Sequence, residues 1–295
     1  MIRSVGRTGP AKVVALVGWE LRFNLLAVVA VAAVMVPIPD TIQTDNAAAV
    51  LSVLGIAASI FIGFRNGNAY NRWWEARTLW GSVIINCRAL DNALISVDDQ
   101  TDDMASVIDR LRRRQVRHAW QLASELRGVV LPTGVADLTP EDPVGADATD
   151  LLNRQARDIQ GLVRGGHVDT QSRMMLMSIN TALVAAQSGL ERIRNQPIPV
   201  HYDLFIRILA WFFGIVAFNR LDATSQYIGS IVVGLLLLGV FVTAERLGRF
   251  IEEPMSNRIF DLPMYRFCSI ITGNLLGGGH PLAQPRESAK ATVWM

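Results

Sequence analysis

The sequence predicts an all-α integral membrane protein with four transmembrane helices per subunit and a helical cytosolic domain. Three observations carry this: long uncharged runs in two pairs, a polar middle with helical periodicity between them, and a charge content too low for a soluble chain of this size. The chain has 295 residues, of which 51% are hydrophobic and only 18% charged. Soluble domains usually carry about a quarter charged residues.

The run Ala47 to Phe64 has eighteen residues without a charge and stops at Arg65. That length crosses most of a hydrocarbon layer. The stretch that follows, RNGNAYNRWWEARTLWG, is wet, basic and aromatic, so this region reads as one helix that leaves the membrane and continues in water. Small residues throughout the run suit close contact between helices. A second uncharged run, Ala223 to Ala244, has twenty-two residues and is the strongest span by length. Phe23 to Pro39 supplies a shorter span, with Val13 to Trp19 lying along the interface before it. Leu204 to Asn219 supplies the fourth, with Arg207 near one end, where it can snorkel to the interface.

The N-terminal MIRSVGRTGPAK followed by alanine-containing apolar sequence superficially resembles a signal peptide. Its apolar core begins only after Arg22, and no strong small-x-small site precedes a polar mature chain, so the segment reads as retained. The loop between the first two spans holds Asp40 and Asp45 and no basic residue, whereas Lys12, Arg22, Arg65, Arg72 and Arg77 flank the other side. The positive-inside rule puts both termini and the long middle in the cytoplasm. The turn between the last two spans, with Arg220 and Asp222, is nearly neutral.

The chain thus divides into an N-terminal cytosolic or interfacial segment (1–22), a first transmembrane pair (23–72) whose second helix lines the pore in the channel reading, a cytosolic helical domain (73–200), a second transmembrane pair (201–246), a cytosolic C-terminal docking segment (247–280) and a tail expected to be mobile (281–295). In the middle, Trp73 to Leu131 is helical nearly throughout and ends at Gly128 and Pro132. Arg112, Arg113 and Arg114 form a charged helix face, a lipid-proximal patch or the lining of an aqueous vestibule, the first being the simplest. Residues 133–150 are turn-rich. A second helical block, Leu151 to Asn195, is interrupted near Gly165 and Gly166, and Met174, Met175 and Met177 read as adaptable core packing.

No catalytic arrangement emerges. His118, His167, His201 and His280 form no metal spacing, and His118 reads as a packed or hydrogen-bonded histidine. Cys87 and Cys268 form no disulfide or thiolate-metal pattern. Arginines are interleaved with acids rather than gathered in a strip, so no nucleic-acid partner is expected. The formal net charge is only +2.

Ile56, Ile60 and Phe64 fall at i, i+4 and i+8 and share one helix face. Gly55, Ala57, Ala58, Ser59 and Gly63 lie between them. Around a symmetry axis these three would form stacked apolar rings, a constriction that resists ions by favouring a dry state. On residue grounds alone, packing against lipid or the first span explains the same pattern.

The stretch Leu54 to Gly81 resembles the bestrophin family, especially its bacterial homologues. The resemblance rests on Ile56, Ile60 and Phe64, then Gly63-Phe64-Arg65-Asn66, then Tyr70, Arg72, Trp73, Glu75, Ala76, Arg77, Trp80 and Gly81. Pro197 and Pro199 before the third span, and Glu252-Glu253-Pro254 through Asp261-Leu262-Pro263, extend it in layout. It implies a homopentamer around one axial pore in a bacterial inner membrane, in contact with lipids and passing small monovalent ions. Anions are implied by the family at large, and cations remain open for bacterial members. Ile56, Ile60 and Phe64 match the pore neck, and a cytosolic aperture falls near Gln171. Asn66, Asn68, Arg65 and Arg72 become pore-mouth residues if they face the lumen; otherwise the two arginines pair with Glu75 and lipid phosphate. Animal members hold calcium with a dense acidic cluster after the last span. Here that region has only Glu252 and Glu253, with Asp261 later, so no cofactor is expected and a calcium site is doubtful, since it would need backbone carbonyls and the N-terminus to complete it. The competing classes are a transporter, which should show repeats or charges inside its spans, and a non-conducting scaffold or signalling subunit.

Overall fold

The computed structural model describes residues 10–36, 47–225, 228–258 and 261–284. The acidic loop used for topology, the first nine residues and the end of the tail lie outside them. Among the described residues there are helices and turns but no strand. The elements are α1 (Pro10–Met35), α2 (Ala47–Ser96), α3 (Asp102–Arg127), α4 (Ala148–Arg164), α5 (Thr170–Asn195), α6 (Val200–Ser225), α7 (Ile228–Glu252) and α8 (Met264–Leu276), with single 3-10 turns at Ala136–Leu138 and Pro281–Ala283. Four helices, α1, α2, α6 and α7, are long and apolar enough to cross a membrane.

Several boundaries differ from expectation for identifiable reasons. Helix α1 begins at Pro10 rather than near Phe23, so Val13 to Trp19 belongs to the helix. It tolerates Arg22 because the guanidinium folds back over the rings of Trp19 (4.3 Å) and Phe23 (4.5 Å) and donates to the Trp19 carbonyl at 2.5 Å. Ala223 to Ser225 close α6 instead of opening the last span. Helix α7 continues past Ala244 to Glu252. Residues 97–101 interrupt the helical stretch after Trp73, and the Thr101 hydroxyl restarts it by accepting from the Met104 amide at 3.3 Å, with Asp102 and Asp103 in the first turn. Acidic residues there complement the helix dipole.

The chain divides into two compact units, one built from the residues up to Trp73 with Pro197–Pro254, the other from Trp74–Gln196 with the segment from Met255 onward. The last boundary therefore falls at Pro254 rather than 246, because α7 runs on. In the first unit, α1, α6 and α7 pack through Val28, Leu238 and Val242, and α2 meets α6 and α7 through Ala58, Ile62, Ile206 and Phe213. In the second unit, Leu90, Leu94, Met104, Leu111, Ile159, Leu162 and Leu176 make one core across α2, α3, α4 and α5. Helix α8 docks on α3, where the Trp120 indole donates to the Thr272 hydroxyl at 3.1 Å and the Cys268 thiol to the Ala119 carbonyl at 3.3 Å. Gly128 ends α3 in a left-handed conformation (φ 63°), its amide reaching back to the carbonyls of Ser124 and Glu125, a geometry glycine adopts without a side-chain clash.

The arginine run on α3 is not a uniform charged face. Arg112 pairs with Asp91 at 2.6 Å and Arg113 with Asp109 at 2.8 Å. Arg114 is buried, forked onto both oxygens of Asp142 (2.6 and 2.8 Å) and bonded to Asp158 at 2.5 Å. Met174 and Met175 are exposed within the chain, with Leu176 as the core residue of that run, because the helix turns the pair outward while Leu176 points in.

His118 is a packed histidine: buried, with Nε2 3.0 Å from Gln187 Oε1 and Nδ1 3.3 Å from Gln115 Nε2. Burial pushes its pKa down from 6.5 to about 4. The unfolded chain then binds more protons between those two values, so stability is full above pH 6.5 and falls as pH drops towards 4. The effect is on the order of 3 kcal/mol across that window. The thermal midpoint of purified protein should therefore fall between pH 7 and pH 5, and His118→Gln should flatten that dependence; an unchanged slope would place the histidine's proton elsewhere.

Candidate functional site

Helix α2 spans fifty residues, roughly 75 Å at 1.5 Å per residue. Its first part carries two different faces. One face buries Ala58, Ile62, Arg65 and Ala69 against α6 and α7. The other leaves Ile56, Ile60 and Phe64 exposed at 62%, 50% and 67%, and Asn68, the next residue in that row, is exposed too. Three large apolar side chains and a terminal amide thus line one stripe that is exposed among the described residues.

Arg65, one residue beyond Phe64, has no solvent exposure at all. The expectation that it lines a pore mouth gives way to a different role. Its Nη2 reaches Asp203 on α6 at 2.5 Å and Glu252 on α7 at 3.2 Å, and its Nη1 donates to the Glu245 carbonyl at 2.8 Å. Asn66 donates to the Ala244 carbonyl at 3.0 Å, and Arg72 Nε to the Glu252 carbonyl at 3.0 Å. Both therefore turn to α7, and Glu75 takes Arg192 as its partner instead. Arg207 joins the cluster through Asp203 at 3.2 Å and faces the buried Glu245 carboxylate at 4.0 Å. Gly248 makes the approach feasible, since a β-carbon there would overlap Asn66 Oδ1 and lie 3.0 Å from Arg65 Nη1.

The reason for this cluster is elementary. An arginine at the end of an apolar helix, turned to the packed side, needs carboxylates and carbonyls to replace water. Asp203 in the first turn of α6 and Glu252 at the last residue of α7 supply them. The spacing of seven residues, about two turns, puts Arg65 and Arg72 on the same side of α2, but the sequence alone did not tell that this side meets α7. Gln171 lies exposed in the first turn of α5, just after Asp169, which caps that helix by accepting from the Ser172 amide at 2.7 Å. Among the described residues no group of His, Cys, Asp or Glu is arranged to hold a metal ion.

Four apolar helices, an exposed apolar stripe on the second and an internally paired ion cluster beside it define a helical membrane protein. Residues 7–277 match the family model described as bacterial and fungal bestrophin proteins, and the chain belongs to that family. It is 27% identical over 246 residues to a voltage-dependent anion channel-forming protein of Mesorhizobium japonicum, covering 80% of this chain and 77% of the relative. The voltage-dependent anion channel-forming protein YneE of Escherichia coli K12 is 29% identical over 240 residues, covering 76% and 74%. The crystal structure of a bacterial bestrophin homologue from Klebsiella pneumoniae is similar in fold, with a TM-score of 0.78 at 25% identity over 88% of this chain and 100% of that one.

Removing the Arg65 charge would strand the poorly hydrated Glu252 carboxylate and leave Asp203 with only its longer contacts to Arg207 and Arg249. Arg65→Met should cost about 3 kcal/mol, in the range for breaking a buried pair, whereas Arg192→Met, which loses only the exposed partner of Glu75, should cost less than about 1 kcal/mol. Thermal unfolding of the two purified variants checks the contrast, and equal losses would remove the special standing of Arg65.

Proposed function

We propose that the chain is one subunit of a passive, homopentameric anion channel of the bestrophin type. In this reading five copies of α2 surround an axis, and Ile56, Ile60 and Phe64 form three stacked apolar rings at its neck. The observation that carries it is that these three side chains are exposed together on the one face of α2 that the subunit leaves uncovered. A narrow apolar passage holds back ions by dewetting and conducts when it widens. Anions are favoured over cations because the similar curated proteins are named as anion channel-forming. Asn68 offers an uncharged amide at the end of the stripe, and Gln171 is the candidate for a polar second aperture.

The protein is read as lying in a bacterial inner membrane among lipids, with both termini and residues 73–200 on the cytoplasmic side. The basic residues flanking α1 and α2 support that orientation. Conduction is read as independent of bound calcium, since Glu252, the first of the acidic pair after the last span, is engaged by Arg65.

Purified protein in planar bilayers under an asymmetric KCl gradient tests the reading. The current should reverse near the chloride equilibrium potential, persist with calcium chelated, and show higher unitary conductance in Ile56→Ala, Ile60→Ala and Phe64→Ala. Reversal near the potassium potential would make it a cation channel on the same scaffold. No current in wild type or variants would favour the scaffold class.

A further inference from the structure

A concave space of about 300 Å³ lies between α3, α4 and the turn around Asp142, and every side chain that lines it is charged. Four arginines, Arg110, Arg114, Arg154 and Arg157, face three carboxylates there, which leaves the cleft one positive charge. The charges are not equally available. Asp142 has both oxygens bonded by buried Arg114, and one oxygen of Asp158 takes Arg114 at 2.5 Å and Arg110 at 2.8 Å. Two of the three carboxylates are therefore spent on the floor of the cleft, and the third, Glu141, faces Arg113 at 3.7 Å. Arg154 has its nearest carboxylate only at 3.9 Å, and Arg157, exposed on the next turn of α4, makes no ion pair or hydrogen bond among the described residues.

We propose that this cleft is a binding site for a small multivalent oxyanion of the phosphate and pyrophosphate class, held by the open guanidinium groups of Arg154 and Arg157 with Arg110 beside them. Guanidinium forks match phosphate oxygens in pairs, and such charge-assisted bonds are the strong ones. The lining has no aromatic or large apolar side chain to receive a base or sugar, so the site reads the phosphate group and not a nucleoside. A divalent cation is disfavoured because the four arginines outnumber the three carboxylates and already hold Asp142 and Asp158. The bound anion would compete with Asp158 for Arg110, one of the bonds that tie α3 to α4. This inference is independent of the channel reading.

Isothermal titration of pyrophosphate into the full-length protein in detergent, at constant ionic strength, tests it. Saturable one-site binding is expected, weaker by about tenfold or more in Arg154→Gln/Arg157→Gln, the factor that the loss of one good charge-assisted contact implies. ADP should bind no more tightly than pyrophosphate, and chloride at matched ionic strength should give no saturable signal. Arg157→Glu, at a residue with no partner to lose, should weaken binding without altering helicity. Absence of saturable binding to the wild type, or equal affinity in the wild type and the double variant, would overturn the site.

Discussion

A guanidinium without solvent exposure, set at the end of an apolar helix, constrains everything around it. Arg65 is a cation with no water around it, so its neighbours must satisfy it. The structure meets that demand with Asp203 from α6 and with Glu252 and the Glu245 carbonyl from α7. The relative rotation of three helices is thereby tied to one side chain. Because Phe64 is the preceding residue, some 100° away on the helix, directing Arg65 inward directs Phe64 outward. The exposed stripe and the buried cluster are two consequences of one helical phase.

This also accounts for how charge is handled near the spans. The sequence shows nearly charge-free runs, and yet Arg65, Asp203, Arg207, Glu245 and Arg249 form a connected group. They stand where the apolar runs give way to polar sequence, and the five donors of an arginine can reach several acceptors at once there. Polar residues deep in a span usually mark a translocation path. Here the acids and bases face one another, and the outward stripe retains only apolar groups and one amide. That separation fits a passive conduit better than a carrier whose charges must alternate between partners.

Most of the helical architecture was legible because apolar runs and caps are local properties. Gly128 ends α3 as its position predicts; the caps Thr101, Asp147 and Asp169 are local signals too, but they went unread, and the break before Thr101 was missed with them. The stripe of Ile56, Ile60 and Phe64 was equally legible, since a spacing of four survives whatever the helix packs against. What could not be read was tertiary. The length of α1 depends on Arg22 finding aromatic faces, and that of α7 on Glu245 and Glu252 finding arginines on α6 and α2. Whether Arg65 faced a lumen or a neighbouring helix depended on Asp203, 138 residues away. The run Arg112-Arg113-Arg114 misled for a similar reason: three adjacent side chains point in three directions around a helix, and although all three find carboxylates, only the Arg114 pair is fully buried.

The two arginine clusters show how the same side chain is put to opposite uses. Arg65 and Arg114 are both buried and both engaged by two carboxylates, so each is fixed in place and unavailable to anything mobile. Buried ion pairs of this kind contribute little net stability compared with apolar packing. Their consequence is geometric, since moving either partner alone exposes an unpaired charge to a low-dielectric interior. Arg154 and Arg157 sit one helical turn apart at the rim and keep their donors open. A fold that needed positive charge only for packing would bury and pair it, as it does with Arg114. Arg157 and the loosely paired Arg154 above that floor are the groups through which the proposed site would meet anions in solution.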